Sequence, residues 1–202
     1  GIHINEVMPK PEEGDSEWVE IRNPKTFYVY LPLILRSAVS SSLSLQPNSA
    51  SAPLAGSLDI SGWQVTDEDG NSYAIPPDLP AVPPGAYILV YFDGLGPGED
   101  DYDLSDGLAV LHTPSGVVNV FEDAGDQAAL YSSSVHNSDT IVDFVAWGEP
   151  PRSDAANASA AGIWQDSWHV SLFVGSGGVV EGEDPVAGQS VGLYPGHDSN
   201  AP

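Results

Sequence analysis

Apolar and polar residues alternate in short bursts along this 202-residue chain. Residues 2–8, IHINEVM, place every second side chain on one face, as a half-buried strand requires. A turn-forming PKPEEGDS follows. EWVEIRNP then alternates again, with Val19 and Ile21 on one side, Trp18 on the other, and Asn23-Pro24 ending the strand by removing a donor and fixing φ. Residues 59–75, DISGWQVTDEDGNSYAI, read as two strands around a tight turn in which Gly70 supplies the positive φ that hairpins demand. PPDLPAVPPG is a rigid connection, and AYILVYF is predicted to be a central, buried strand. Beyond the long acidic loop GLGPGEDDYDLSDG, LAVLH fits either a strand or a loop-packing segment, and GVVNVF is a further candidate strand. DQAALYS and TIVDFVAWG are predicted to be a central pair. SDAANASAAGIW is rich enough in Ala for one short helix, and HVSLFV and QSVGLYP are late strands around a loop at 175–188.

Strands recurring about every ten residues, punctuated by 21 Gly and 18 Pro, predict an all-β sandwich of about 8–10 short strands with at most one short helix. A single domain over 1–202 is expected, with a long insertion at about 25–58. Hydrophobic residues at 41% are too many for a disordered acidic polymer. No apolar run approaches the roughly 18 residues needed to span a bilayer. No cleavable leader is visible ahead of GIHINEV, as expected of a chain trimmed of its signal peptide or of a cytosolic one. Without Cys, neither disulfides nor thiolate metal sites can form.

Charge narrows the partners. Against 29 carboxylates stand five Lys or Arg, and Arg152 is the one base after residue 36. A formal charge of −24 would repel a phosphate backbone, so nucleic acid is excluded as a partner. The surplus suits either solubility in a salty medium or divalent-cation binding. Glu99, Asp100, Asp101, Asp103 and Asp106 crowd one Gly-rich loop and are the candidate calcium ligands, since calcium takes six to eight oxygens from flexible loops. Asp67, Asp69 and Asn71 superficially resemble an EF-hand loop, but the Gly is misplaced and a hairpin turn is expected there. Catalytic patterns are absent. The five His residues show no HxH or HExxH spacing, no GxSxG elbow occurs, and GPGED lacks the P-loop lysine, so no catalytic residue is assigned.

The order of motifs resembles the lamin tail domain. It rests on INEVMP (4–9), EWVEIRNP (17–24), DISGWQVTDEDGNSYAIP (59–76), PPGAYILVY (83–91), GDQAALY (125–131), TIVDFVAWG (140–148) and SVGLYPG (190–196). The resemblance spans nearly the whole chain outside 25–58, and it implies an immunoglobulin-like sandwich. It also implies a non-enzymatic interaction module in an extracellular or surface bacterial protein, binding protein, glycan or itself; an accessory domain of a secreted hydrolase is an alternative. Leu193 stands where the bacterial pattern usually has Arg. Apart from any family, Trp18, Trp63 and Trp147 are expected to supply large buried area, and Gly62 and Gly148 to mark bulges or close backbone approaches.

Inside the insertion, FYVYLPLILR (27–36) carries no acidic residue. It is too short to cross a membrane, and Pro32 confines it to a sheet edge. It is expected either to cover the protein's own sheet or to recruit a partner chain, itself included, through Phe27, Tyr28, Tyr30, Leu31, Leu33, Ile34 and Leu35.

Overall fold

The computed structural model of the chain describes residues 1–25, 56–118, 120–122, 125–148, 151–164, 172–175, 178–181 and 187–192. These residues form strands β1 His3–Lys10, β2 Trp18–Arg22, β3 Gln64–Thr66, β4 Ser72–Ala74, β5 Tyr87–Tyr91 and β6 Leu108–His112. They continue in β7 Gln127–Tyr131, β8 Ile141–Ala146, helix α1 Ala155–Ala160, β9 Leu172–Gly175, β10 Gly178–Glu181 and β11 Gln189–Gly192. The protein is all-β, with two main sheets. One has the order β11-β1-β2-β5-β6, the other β4-β3-β7-β8, and β9 pairs with β10 in a separate ribbon. Two assignments differ from the sequence reading. Among its described residues GVVNVF forms an isolated bridge, Val118 to Asp93, rather than a named strand, and part of the loop expected at 175–188 is strand β10.

The core lies between the sheets because each inner face is aliphatic. Ile4, Val7, Val19, Ile21, Ile88, Val90, Ala109 and Leu111 come from one sheet, and Val65, Ala128, Leu130 and Val145 from the other. Phe92, Phe121 and Trp147 close one end through edge-to-face contacts at 5.1 and 5.7 Å, and Trp147 Nε1 donates to the Glu122 carbonyl at 3.1 Å. Helix α1 covers the other face of the four-stranded sheet. There Ala155, Ala158 and Trp164 pack on Ala129, Tyr131, Phe144 and Ala146, with Trp164 edge-on to Phe144 at 4.8 Å. Strand β7 is therefore buried on both faces, as expected of a central strand, while β8 is an edge. Asp143 on β8 accepts a 2.6 Å bond from the Ile4 amide of β1, which ties that edge to the opposite sheet.

Strand β5 departs from expectation. It is central, but only Ile88 and Val90 are buried; Tyr87, Leu89 and Tyr91 lie partly exposed on the outer face. Strict alternation also fails in β1. A register shift between Ile4 and Glu6 puts Asn5 and Glu6 both outward, opposite Glu20, which is the signature of a bulge. LAVLH is a strand, β6, parallel to β5. A parallel pair needs a crossover, and the acidic loop provides it. Within that loop Asp101 pairs with Val110 in both directions at 2.8 Å, which covers the outer edge of β6.

Asn23 gathers the two ends of the insertion. Its Nδ2 donates to the carbonyls of Gly56 at 3.2 Å and Val82 at 2.8 Å, so the chain departs and returns at one corner, where β2 ends.

Candidate functional site

The outer face of the five-stranded sheet is built from rows of facing residues. Met8 lies opposite Trp18, Trp18 opposite Tyr91, and Tyr91 opposite His112, so four strands contribute one continuous row. All four side chains are partly exposed, because alternation sends their neighbours Val7, Val19, Val90 and Leu111 into the core. The Tyr91 and His112 rings stack nearly parallel with centroids 5.5 Å apart. His112 Nδ1 lies 2.6 Å from Asp93 Oδ2, and its amide donates to Asp100 Oδ1 at 2.7 Å, so both ring and backbone are fixed. Against this row stands the β1–β2 turn, held by the Asp15 amide donating to the Glu12 carbonyl at 3.0 Å and by Gly14 at φ 99°.

Together they enclose a cleft of about 550 Å³. Its floor is Met8, Trp18, Tyr91 and His112; Pro11, Glu12, Gly14, Asp15 and Ser16 form one wall, and Asp93 and Gly188 complete it. The volume suits a small ligand or a short segment of one. Next to Asp93, Leu95 is 64% exposed, and Val118, bridged to Asp93, is 43% exposed. The cleft thus has an apolar shoulder.

Further along the same face the character changes. Asn5 Nδ2 donates to Glu20 Oε1 at 2.6 Å, and Ser190 donates to Glu6. Burial holds the Glu20 carboxyl above the usual carboxylate range; the Asn5 bond pulls it down, and the facing Glu6 charge pushes it up again. Beyond them Arg22 lies over the Tyr87 ring at 5.2 Å.

The acidic loop uses its carboxylates separately. Asp101, Asp103 and Asp106 each accept the amide two residues on, at 2.9, 2.9 and 3.0 Å, as turn-forming Asp residues do. Asp100 Oδ2 accepts the Tyr102 hydroxyl at 2.8 Å, and burial followed by this neighbour pushes the phenol up to about 12. Glu99 donates its amide to the Gly96 carbonyl at 3.2 Å. Among the described residues no three His, Asp or Glu side chains come together as a metal-holding group. The 67–71 segment is a hairpin turn, with Asp67 Oδ1 accepting the Asn71 amide at 2.7 Å and Gly70 at φ 86°.

Phe27, Tyr28, Tyr30, Leu31, Leu33, Ile34 and Leu35 lie outside the described residues, as does Leu193. Of the tryptophans expected in the core, Trp147 is fully buried, Trp63 packs against the core while partly exposed, and Trp18 stands on the cleft floor. Gly148 is a close approach, its Cα 3.0 Å from where a Gly125 Cβ would stand; Gly62 is a turn at φ 73° with open space around it.

Chemically, the cleft offers an oriented imidazole–carboxylate pair, exposed aromatic surface and further carboxylates. Ser16 shares the cleft with His112, whose Nδ1 faces the Asp93 carboxylate. Among the described residues no helix is long and apolar enough to cross a membrane. Comparison with protein-family models, with curated proteins and with solved structures gives no match.

Proposed function

We propose that the chain is a non-catalytic interaction module of the lamin-tail type, immunoglobulin-like and acting at the outside of a bacterial cell. The observation that carries the reading is the outer face of the five-stranded sheet. A row of Met8, Trp18, Tyr91 and His112 is left partly exposed along the floor of a cleft, each side chain carried on a different strand of one sheet. Partly exposed aromatic residues fixed on strands are suited to recognition, because ordering them on binding loses little further entropy. The motif order over the remainder of the chain and its two-sheet fold support the family reading; fold alone names no ligand.

The test is an array of extracellular glycans and peptides, probed with the protein and with a Trp18→Ala/Tyr91→Ala variant. Retention of a defined class by the protein, at least about tenfold weaker in the variant, is the expected result. Binding that the variant keeps in full places recognition elsewhere. The described residues that flank the insertion, Asn23 and Gly56, meet beyond the end of β2 away from Trp18. Removing 27–36 tests its share through solution mass and partner capture; unchanged values would leave the cleft as the recognition surface.

A further inference from the structure

Resting on the reading of this face as a recognition surface, we propose that the cleft takes a lysine- or arginine-bearing peptide segment of a partner protein. The described residues lining it include three carboxylates, Glu12, Asp15 and Asp93, one imidazole and no Lys or Arg. Asp93 is already shared with His112 at 2.6 Å, so Glu12 and Asp15 on the turn are the groups left to meet an incoming charge. Both line the same cleft as Trp18, whose indole is the strongest cation-attracting face among the aromatic side chains.

An alkylammonium or guanidinium carried on a flexible methylene stem meets this arrangement at every point. The stem lies along Met8 and Trp18, the cationic head reaches Glu12 or Asp15, and the peptide backbone follows the edge of the cleft toward Leu95 and Val118. An anionic ligand meets the lining carboxylates and the field of a chain at −24. An uncharged sugar would use the aromatic surface but leave the carboxylates without a counter-charge. A lone ammonium ion would not use the apolar floor.

The probe is an acetylated, amidated heptapeptide with two lysines among glycines, titrated calorimetrically against the intact chain at low salt. Its glutamate counterpart, an amino-sugar hexamer with free amines and an uncharged glucose hexamer are run beside it. Binding of the lysine peptide alone among the peptides is expected, weakening about tenfold with Trp18→Ala and about threefold to tenfold with Glu12→Gln/Asp15→Asn. The second variant alters an exposed turn, which keeps the test valid if Trp18→Ala fails to fold. General attraction of cations to an acidic protein is separated by Asp69→Asn/Asp139→Asn, which removes two exposed charges from loops of the four-stranded sheet, neither lining the cleft, and is expected to leave affinity unchanged. Equal weakening by both double variants overturns the proposal. So does preference for the amino sugar over the peptide. Trp18-dependent binding of the uncharged hexamer overturns this proposal while leaving the interaction module standing, and silence from all four probes removes the cationic ligand without touching the separate array test.

Discussion

Asp126 shows how one side chain sets a pH dependence. It is 2% exposed, and its oxygens accept the amides of Glu68, Gln127 and Glu122 at 2.9, 2.7 and 2.9 Å. Burial outweighs these bonds and raises the carboxyl from 3.8 to about 6. The folded state therefore holds this proton more tightly than the unfolded chain does. Ionisation opposes folding above about pH 6, by about 3 kcal/mol, and that opposition fades as pH falls toward 4. Asp67 and Glu20 are raised in the same direction, again chiefly by burial. The melting temperature is expected to rise by several degrees from pH 7.5 to 5; a fall over that window would contradict the assignment. Gly125 is a second sensitive position. A Cβ there would stand 2.1 Å from Arg152 Nη2 and 3.0 Å from the Gly148 Cα, at φ 150°. Arg152 bonds the Trp147 carbonyl through Nε and Nη2 and Glu68 through Nη1, so it has little room to yield. Gly125→Ala is expected to destabilise by about 2–4 kcal/mol in urea denaturation, through clash and strain together. Residue type alone foretold the burial of Trp147. It misplaced Trp18, because an indole on a strand has the same sequence signature on either face.

The acidic loop is the clearest case at the level of elements. Its carboxylates were legible as a charged, Gly-rich loop with candidate calcium ligands, but its task as a crossover between parallel strands was not, because nothing local in LAVLH records which way its partner runs. Two carboxylates in this loop should behave differently. Asp100 joins the loop to β6 through the His112 amide and to Tyr102 through its hydroxyl. Asp100→Ala is expected to lower stability by about 1–3 kcal/mol, with loosening at 99–106 in amide hydrogen exchange. Asp103→Asn retains the acceptor for Ser105, and its melting curve should overlay the parent. Strand β5 makes the complementary point. An unbroken apolar run cannot show which face will be covered, since Tyr87, Leu89 and Tyr91 are compatible with either outcome. The Tyr-x-Leu-x-Tyr spacing of AYILVYF, with aromatics at both ends of one face, was the available hint.

For the whole molecule, alternation and turn chemistry disclosed the all-β class and most strand positions, because each depends on neighbours a few residues apart. The cleft was not disclosed. Met8, Trp18, Tyr91 and His112 come from four strands, and only register assembles them. Charge acts at this scale too. A formal −24 spread over a 202-residue chain repels itself most when compact, so sodium chloride raised from 20 to 500 mM should increase the melting temperature. Insensitivity to salt would mean that local ion pairs, such as Arg152 with Glu68 at 2.6 Å, already offset the repulsion.

Strand β1 lies between β2 and β11, and its partners sit at very different sequence distances: Glu6 faces Glu20 on one side and Gly192 on the other. During ribosomal synthesis, one rim of β1 can zip up within moments while the other waits for more than a hundred and fifty further residues to emerge. In that interval the nascent chain presents an open ladder of amides and carbonyls. The carboxylate of Glu6 stands beside that rim and receives the Ser190 hydroxyl only once β11 has arrived.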